Sequence, residues 1–529
     1  MIHSSSNLFP TAALPRRPLT SKTGKTTRIM TCSHLRILPI LPAAILLCLT
    51  SANAQSPPPE HARRYNRLLV RNAIVVEGNG TPASGPRDIV IENNRITSIV
   101  PSGFGNRGSA DAVIDAKGKY VLPGLINMHG HSHDERGGVS LPIDYVFKLW
   151  LACGITTVRD VGSDYSRSKA SRSASAEGRI AAPRLFLYPF FGRPPTPEAA
   201  RERVRQIKTQ GADGIKIVGI HRDTMDAMMD EAAKLSLRVA HHVGVEETNA
   251  WDNIRLKTTT IEHWYGIPDA ALADGVQNFP ASYNYSDEVD RFRYAGRLWR
   301  EADPAKLRTV LEGMVKAGVA WDPTLNIYEA SRDLQRAQTK PEFAEFLHPS
   351  LEKFFRPSRD NHGSYFFGWT TADEVYWKEN YRIWMSALRE FGRMGGVITT
   401  GEDAGYIYQV YGFGYLRELE LQQEAGFHPL QVVRHATVNG AERLGEEARL
   451  GRVRAGWTAD LLIVNGNPLE NFKLLNPMGI EDWDNEGKPR RAGGIEYTIK
   501  DGIVYHVPRL TAEIRQMVHS ARGKTKATE

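Results

Sequence analysis

The run Val121-Leu-Pro-Gly-Leu-Ile-Asn-Met-His129-Gly-His131 ends an apolar stretch in two histidines one residue apart. In a β-strand, positions i and i+2 share a face, so the two imidazoles would stand side by side at the strand's end. Neutral imidazole is the commonest protein ligand for a catalytic metal. Taken alone, the pair fits two loop histidines bonded to water at least as well. Other groups follow at the ends of further apolar runs: Lys216 within Gly211-Ala-Asp-Gly-Ile-Lys-Ile-Val, His241-His242, Glu262-His263, and Glu402-Asp403 in Gly401-Glu-Asp-Ala-Gly405. Nitrogen and carboxylate ligands gathered from neighbouring strands are how a barrel builds a hydrolytic metal site. Lys216 is the odd member. Burial within an apolar run lowers a lysine's pKa toward the neutral amine. A neutral amine can take up carbon dioxide as a carbamate, which could bridge two metals as a carboxylate does. The alternative is a packed stem whose ammonium snorkels to water.

The elements that would carry these groups alternate between strand-like runs and amphipathic helices. Eight strand candidates are readable: 121–129, 154–158, 184–188, 214–218, 237–241, 258–263, 319–321 and 396–400. Helix-like stretches such as 198–210 and 223–235 lie between them. This α/β pattern predicts a (β/α)8 TIM-like barrel over 122–444, with its site at the strands' C-terminal ends. Two long aromatic-rich insertions, near 266–305 and 326–390, would shape a pocket or form a lid, or else cover a dimer surface. Short strand-like segments at 66–121 and 445–507 predict a small composite β-sandwich domain built from both chain ends, followed by a C-terminal tail, 508–529.

Charge and cysteine usage narrow the function classes. The 529-residue chain carries a formal net charge of +7, and six of those charges sit in residues 1–54, which contain no acidic residue. A basic flank, the apolar stretch Ile37–Leu49 and Ala52-Asn53-Ala54 read as an export signal peptide, with a proline-rich linker at 55–65. The remainder is almost neutral, so no nucleic-acid partner is expected, and no stable membrane anchor after signal cleavage. Cys32 and Cys48 fall in the leader, leaving Cys153 with no internal disulfide partner, as a buried small hydrophobe. An exported protein without disulfides fits a bacterial periplasm.

The chain resembles the amidohydrolase superfamily, in its imidazolonepropionase/prolidase-like branch. The resemblance rests on Pro-Gly-Leu-Ile-x-x-His-x-His, Gly154-Ile-Thr-Thr-Val-Arg-Asp, Gly211-Ala-Asp-Gly-Ile-Lys, Ile261-Glu-His, Glu402-Asp-Ala-Gly, and tail motifs such as Gly451-Arg-Val-Arg-Ala-Gly-Trp-Thr-Ala-Asp-Leu. It covers about residues 66–507. It implies that His129, His131 and Asp403 bind one divalent metal and His242 and His263 a second. Carbamylated Lys216 would bridge the pair; zinc is the expected metal. His241 is the alternative to His242. Asn127 departs from the family, which usually has Asp there. The implied activity is hydrolysis of a C–N amide bond in a small-molecule substrate of dipeptide or N-acyl amino acid type. A metal-bridging hydroxide would attack, with Asp403 as general acid–base. A mononuclear cyclic-amide hydrolase and a non-catalytic relative are the competing readings. Homo-oligomers are common in the superfamily. Arg159 stands as a candidate for a substrate carboxylate or as a structural residue.

Overall fold

A computed structural model of the chain describes residues 58–528, except 105–107, 137, 245–247, 285–286 and 359–362. The expected signal peptide and the start of the linker lie outside the described residues.

Strands from both chain ends join in one nine-stranded sheet, in the order Arg63–Arg64, Ile503–His506, Ile495–Lys500, Leu461–Asn465, Lys119–Pro123, Arg67–Val75, Ser84–Glu92 and Arg95–Pro101, with Ala112–Asp115 paired to Arg67–Val75. The two ends meet where Lys119–Pro123 runs antiparallel to Leu461–Asn465, pairing Val121 with Ile463. Val70, Ile89, Val121, Ile463 and Ile499 bury one face in a core of its own. The strands expected to form a sandwich are hydrogen-bonded laterally into a single sheet. Part of the expected linker is also structured, since Arg63 and Arg64 pair with Val504 and Ile503 as its edge strand. The tail is a helix, Val507–Thr528, whose Leu510, Ile514 and Val518 are buried.

The apolar run 121–131 is two strands rather than one. Gly124 separates Lys119–Pro123, in the nine-stranded sheet, from Leu125–Gly130, which belongs to a parallel sheet. A Cβ at Gly124 would lie 2.2 Å from Thr156 Oγ1, so no side chain fits at this crossing.

The central segments form two parallel sheets. Leu125–Gly130, Ile155–Val161 and Arg184–Tyr188 make one; Gly214–Val218, Arg238–His242, Thr260–Glu262 and Ala320–Asp322 make the other. A parallel bridge between Phe190 and Lys216 joins them on one side. On the other side the Trp321 amide bonds to the Val397 carbonyl, and the Met128 amide to the Thr400 carbonyl, so the ladder returns to its first strand. The segment 396–400 contributes these contacts without forming a regular strand. Amphipathic helices such as Pro197–Gln210 and Arg222–Lys234 connect the strands. The first is capped by Thr196 at its start and by left-handed Gly211 at its end.

The insertions are largely packed. Trp299, Trp377 and Trp384 are almost completely buried and converge on Trp264, with ring centroids 6.0–6.3 Å from it. These three tryptophans are therefore core. No helix of the described residues is long and apolar enough to cross a membrane.

Candidate metal centre

Strand register decides which side chains converge. Lys216 pairs with Ala240, Val218 with His242, and Ala240 with Thr260, while Glu262 pairs with Asp322. Alternation along each strand puts Lys216, His242, Glu262 and Asp322 on one face and His241 on the other. His241 is buried with Nδ1 2.8 Å from Asn253 Oδ1, on the helix behind the strand. His242 lines a cavity of about 260 Å³ together with His129, His131, Lys216, His263 and Asp403. All six expected site residues therefore meet in one place, and His241 does not join them.

Asp403 is the hub. Its Oδ1 lies 3.0 Å from His131 Nε2 and 3.7 Å from His129 Nε2, and its Oδ2 lies 3.8 Å from His263 Nε2. The ring centroids of His129 and His263 are 4.7 Å apart, and those of His263 and His242 4.5 Å. Burial holds the four imidazoles well below their usual pKa, and the Lys216 charge adds to this. They are thus neutral bases with a lone pair to donate. Burial likewise lowers the Lys216 amine, whose Nζ makes no hydrogen bond and sits 3.6 Å from Glu262 Oε2. Neutral imidazoles around a shared carboxylate, with a buried amine that makes no hydrogen bond, form a donor set that fits divalent metal ions and a lysine carbamate.

The backbone is bent to deliver these groups. His263 and Asp403 both occupy the left-handed region, with φ of 59° and 45°. Each is held by a backbone hydrogen bond: the His263 amide to the Asp322 carbonyl and the Asp403 amide to the His129 carbonyl, both 2.8 Å. Non-glycine residues with positive φ are strained and persist only where the surroundings impose them. At Gly401 an added Cβ would stand 2.5 Å from His129 Cβ and 2.7 Å from Asp322 Oδ2, so glycine lets this loop pass beneath the histidine.

A buried charged layer underlies the ligand cluster, and the sequence reading did not assign it. Glu262 Oε2 lies 2.7 Å from His129 Nδ1, which leaves Nε2 facing Asp403. Arg159 is completely buried and donates from Nη2 to both Glu262 oxygens at 2.8 Å and from Nη1 to Thr260 Oγ1 at 2.9 Å. Its guanidinium is spent inside the protein, which excludes it as a cavity-facing carboxylate receptor. Burial and the neighbouring Glu262 push the Asp322 carboxyl up to about 7. On the far side, Thr324 Oγ1 lies 2.6 Å from His263 Nδ1 and fixes that ring as well. Carboxylate and hydroxyl partners on the second nitrogen orient metal-ligating histidines in this manner.

Asn127 has a local explanation. Its Nδ2 donates to Glu402 Oε1 at 3.1 Å, and Glu402 also accepts from Trp150 Nε1 and from the amides of Gly412 and Tyr415. Glu402 thereby ties the Asp403 loop to the strand bearing His129. Burial pushes the Glu402 carboxyl up to about 8. An aspartate at 127 would remove the amide donor from this set. Asn127→Asp is expected to destabilise the fold by about 1–3 kcal/mol at neutral pH, the cost of leaving buried polar groups unmatched. Chemical denaturation measures it, and an unchanged midpoint would mean that the pairing contributes nothing.

Around the cluster, the cavity wall takes residues from both insertions: Arg291 and Phe292 from the first, Ile327, Tyr328 and Tyr365 from the second. Phe190 and Val218, 46% and 40% exposed, mark its open side. His133 stacks on His131 at 5.1 Å, and its Nε2 lies 3.4 Å from Tyr406 Oη. His221 caps the helix Arg222–Lys234, away from the cluster.

The amidohydrolase family profile matches residues 387–486, which include Asp403. A 5-methylthioadenosine/S-adenosylhomocysteine deaminase from Thermococcus onnurineus (strain NA1) is 42% identical over 65 residues. That match covers 12% of this chain and 14% of the deaminase, so the chain spans only a small part of this curated relative. Among solved structures, a Xaa-Pro dipeptidase with methionine in its active site aligns with a TM-score of 0.57 at 21% identity, over 83% of this chain and 100% of the other. Bottromycin amidohydrolase aligns with a TM-score of 0.62 at 18% identity, over 87% and 92%.

Proposed function

We propose that the chain is an amidohydrolase-superfamily member and a metal-dependent hydrolase cleaving a C–N amide bond of the dipeptide or N-acyl amino acid type, on a (β/α)8 barrel; the family profile over 387–486 and the similar solved structures support this. The observation that carries this reading is the meeting of four neutral imidazoles, Asp403 and a buried lysine without a hydrogen bond in one cavity.

His129, His131 and Asp403 would hold one divalent ion, His242 and His263 a second, and carbamylated Lys216 would lie between them. Zinc suits the nitrogen-rich donors. When bound, the ions supply Lewis-acid polarisation of the scissile carbonyl and a water acidified to near neutrality. Where the Lys216 amine is unprotonated, its nitrogen would bond to the carbon of carbon dioxide and release one N–H proton to solvent, leaving the carbamate. Glu262 and Thr324 hold the rings of His129 and His263 in the orientation that turns Nε2 toward Asp403. Asp403, with Oδ1 3.0 Å from His131 Nε2 and a side chain 14% exposed, takes the proton of the attacking water and returns it to the leaving nitrogen. The aromatic wall excludes water from the developing charge.

The test is hydrolysis of a dipeptide and N-acyl amino acid library by zinc-reconstituted protein, read by mass spectrometry, with a chelator-treated control. Chelator-sensitive cleavage is expected. Cleavage that survives chelation would contradict a metal-dependent reaction, and an uncleaved library would contradict the substrate type.

A further inference from the structure

A second cavity, of about 650 Å³, shares no lining residue with the metal centre. Three parts of the chain enclose it: the second insertion at 329–342, the helix Phe413–Glu424, and the segment 471–481 that leads into the hairpin of Ile480–Trp483 with Pro489–Ala492. Phe413, Leu416, Phe472, Met478 and Ile480 give it an apolar wall.

Most of the charged groups around this wall are matched within the protein. Arg417 spends its whole guanidinium: Nε and Nη2 donate to Glu329 Oε1 at 2.9 and 2.7 Å, and Nη1 to Glu420 Oε2 at 2.5 Å. Glu420 Oε1 accepts from Lys473 Nζ at 2.7 Å, and Lys340 Nζ donates to Gln409 Oε1 at 2.6 Å. Burial pushes the Glu342 carboxyl above its usual range, toward the neutral acid.

Glu329 is different. The residue is 1% exposed, and its Oε2 makes no hydrogen bond. Burial opposes its ionisation, yet the hydrogen bonds from Arg417 hold it below the usual carboxylate range. A buried, ionised oxygen without a donor is costly, and a ligand donor that reaches it removes the cost. Arg336 is the least committed cation. Its side chain is 54% exposed, and its Nε comes no closer than 3.7 Å to Glu329 Oε1. A lone cation in this cavity would meet Arg336 and Arg417, and a lone anion would meet Glu329. A ligand carrying both charges suits it best.

We propose that this cavity is a second binding site, for a zwitterionic amino acid with a large apolar side chain. The ammonium donates to Glu329 Oε2, the carboxylate accepts from Arg336, and the side chain packs on Phe413, Phe472 and Met478. The site stands apart from the reaction proposed for the metal centre.

The experiment titrates L-tryptophan, tryptamine, which lacks the carboxylate, and indolepropionate, which lacks the ammonium, into the zinc-loaded full chain by calorimetry. Tryptophan is expected to bind about 10- to 100-fold more tightly than either analogue, the range of a charge-assisted hydrogen bond. Glu329→Gln should remove the preference over indolepropionate, and Arg336→Met the preference over tryptamine. Ile480→Trp, which fills the cavity from the hairpin without touching the Glu329–Arg417 pair, should abolish binding; it carries the test if Glu329→Gln does not fold. Absence of tryptophan binding in wild type would overturn the proposal, leaving Glu329 Oε2 to water. Tryptamine bound as tightly as tryptophan would overturn the zwitterion. Affinity unchanged in a folded Ile480→Trp variant would place the ligand elsewhere and overturn the site.

Discussion

Asp403→Asn is expected to lower kcat/KM on any cleaved substrate by about a thousandfold, within the range usual for a lost general acid–base. The substitution is nearly isosteric, and asparagine tolerates the left-handed backbone that Asp403 adopts at φ 45°. The backbone bond from residue 403 to the His129 carbonyl is retained. What disappears is a carboxylate able to take up a proton 3.0–3.8 Å from three imidazoles. Steady-state rates, with a thermal midpoint as the folding control, measure the effect. A variant within about tenfold of wild type would remove Asp403 from proton transfer and leave the reaction to water and metal alone.

The second large effect concerns Lys216. Lys216→Ala should halve the bound metal and lower hydrolysis by about a hundredfold or more, the scale on which loss of a ligand or its support acts. The amine is 2% exposed, makes no hydrogen bond and stands in a strand whose neighbours are Ile215 and Ile217. Glu262 retains Arg159 as a counter-charge when Lys216 is removed, so the layer beneath the site survives. Elemental analysis against protein concentration measures the change. Full metal content and full activity in the variant would remove the bridging role of Lys216.

The cluster around Asp403 was legible because most of its members end an apolar strand-like run, with Lys216 lying inside one. Alternation along Arg238–His242 would also have separated His242 from His241, once Lys216 was placed on the interior face of the adjacent strand. The supporting layer was not legible. Arg159, Glu262 and Asp322 lie far apart in the chain, and lateral strand order alone brings them together. Nor could composition divide the insertions, since Trp377 and Trp384 enter the core while Phe292 and Tyr365 line the cavity, and all four are simply aromatic. Two misses had a usable signal. Leu510, Ile514 and Val518 recur at helical spacing in what was read as a tail. Gly124, next to Pro123 inside an apolar run, marks the break between two strands. The segment 396–400 kept its position while losing regular strand pairing, because Gly401 and the positive φ of Asp403 turn the chain beneath His129.

The most direct measurement is a zinc titration of chelator-stripped protein, followed in parallel by bound metal and by hydrolysis of the best library substrate. The account predicts saturation at two zinc ions per chain, activity that tracks the second ion, and loss of that second step in Lys216→Ala. Hydrolysis already complete before any zinc is added, or a protein that binds none, would contradict it.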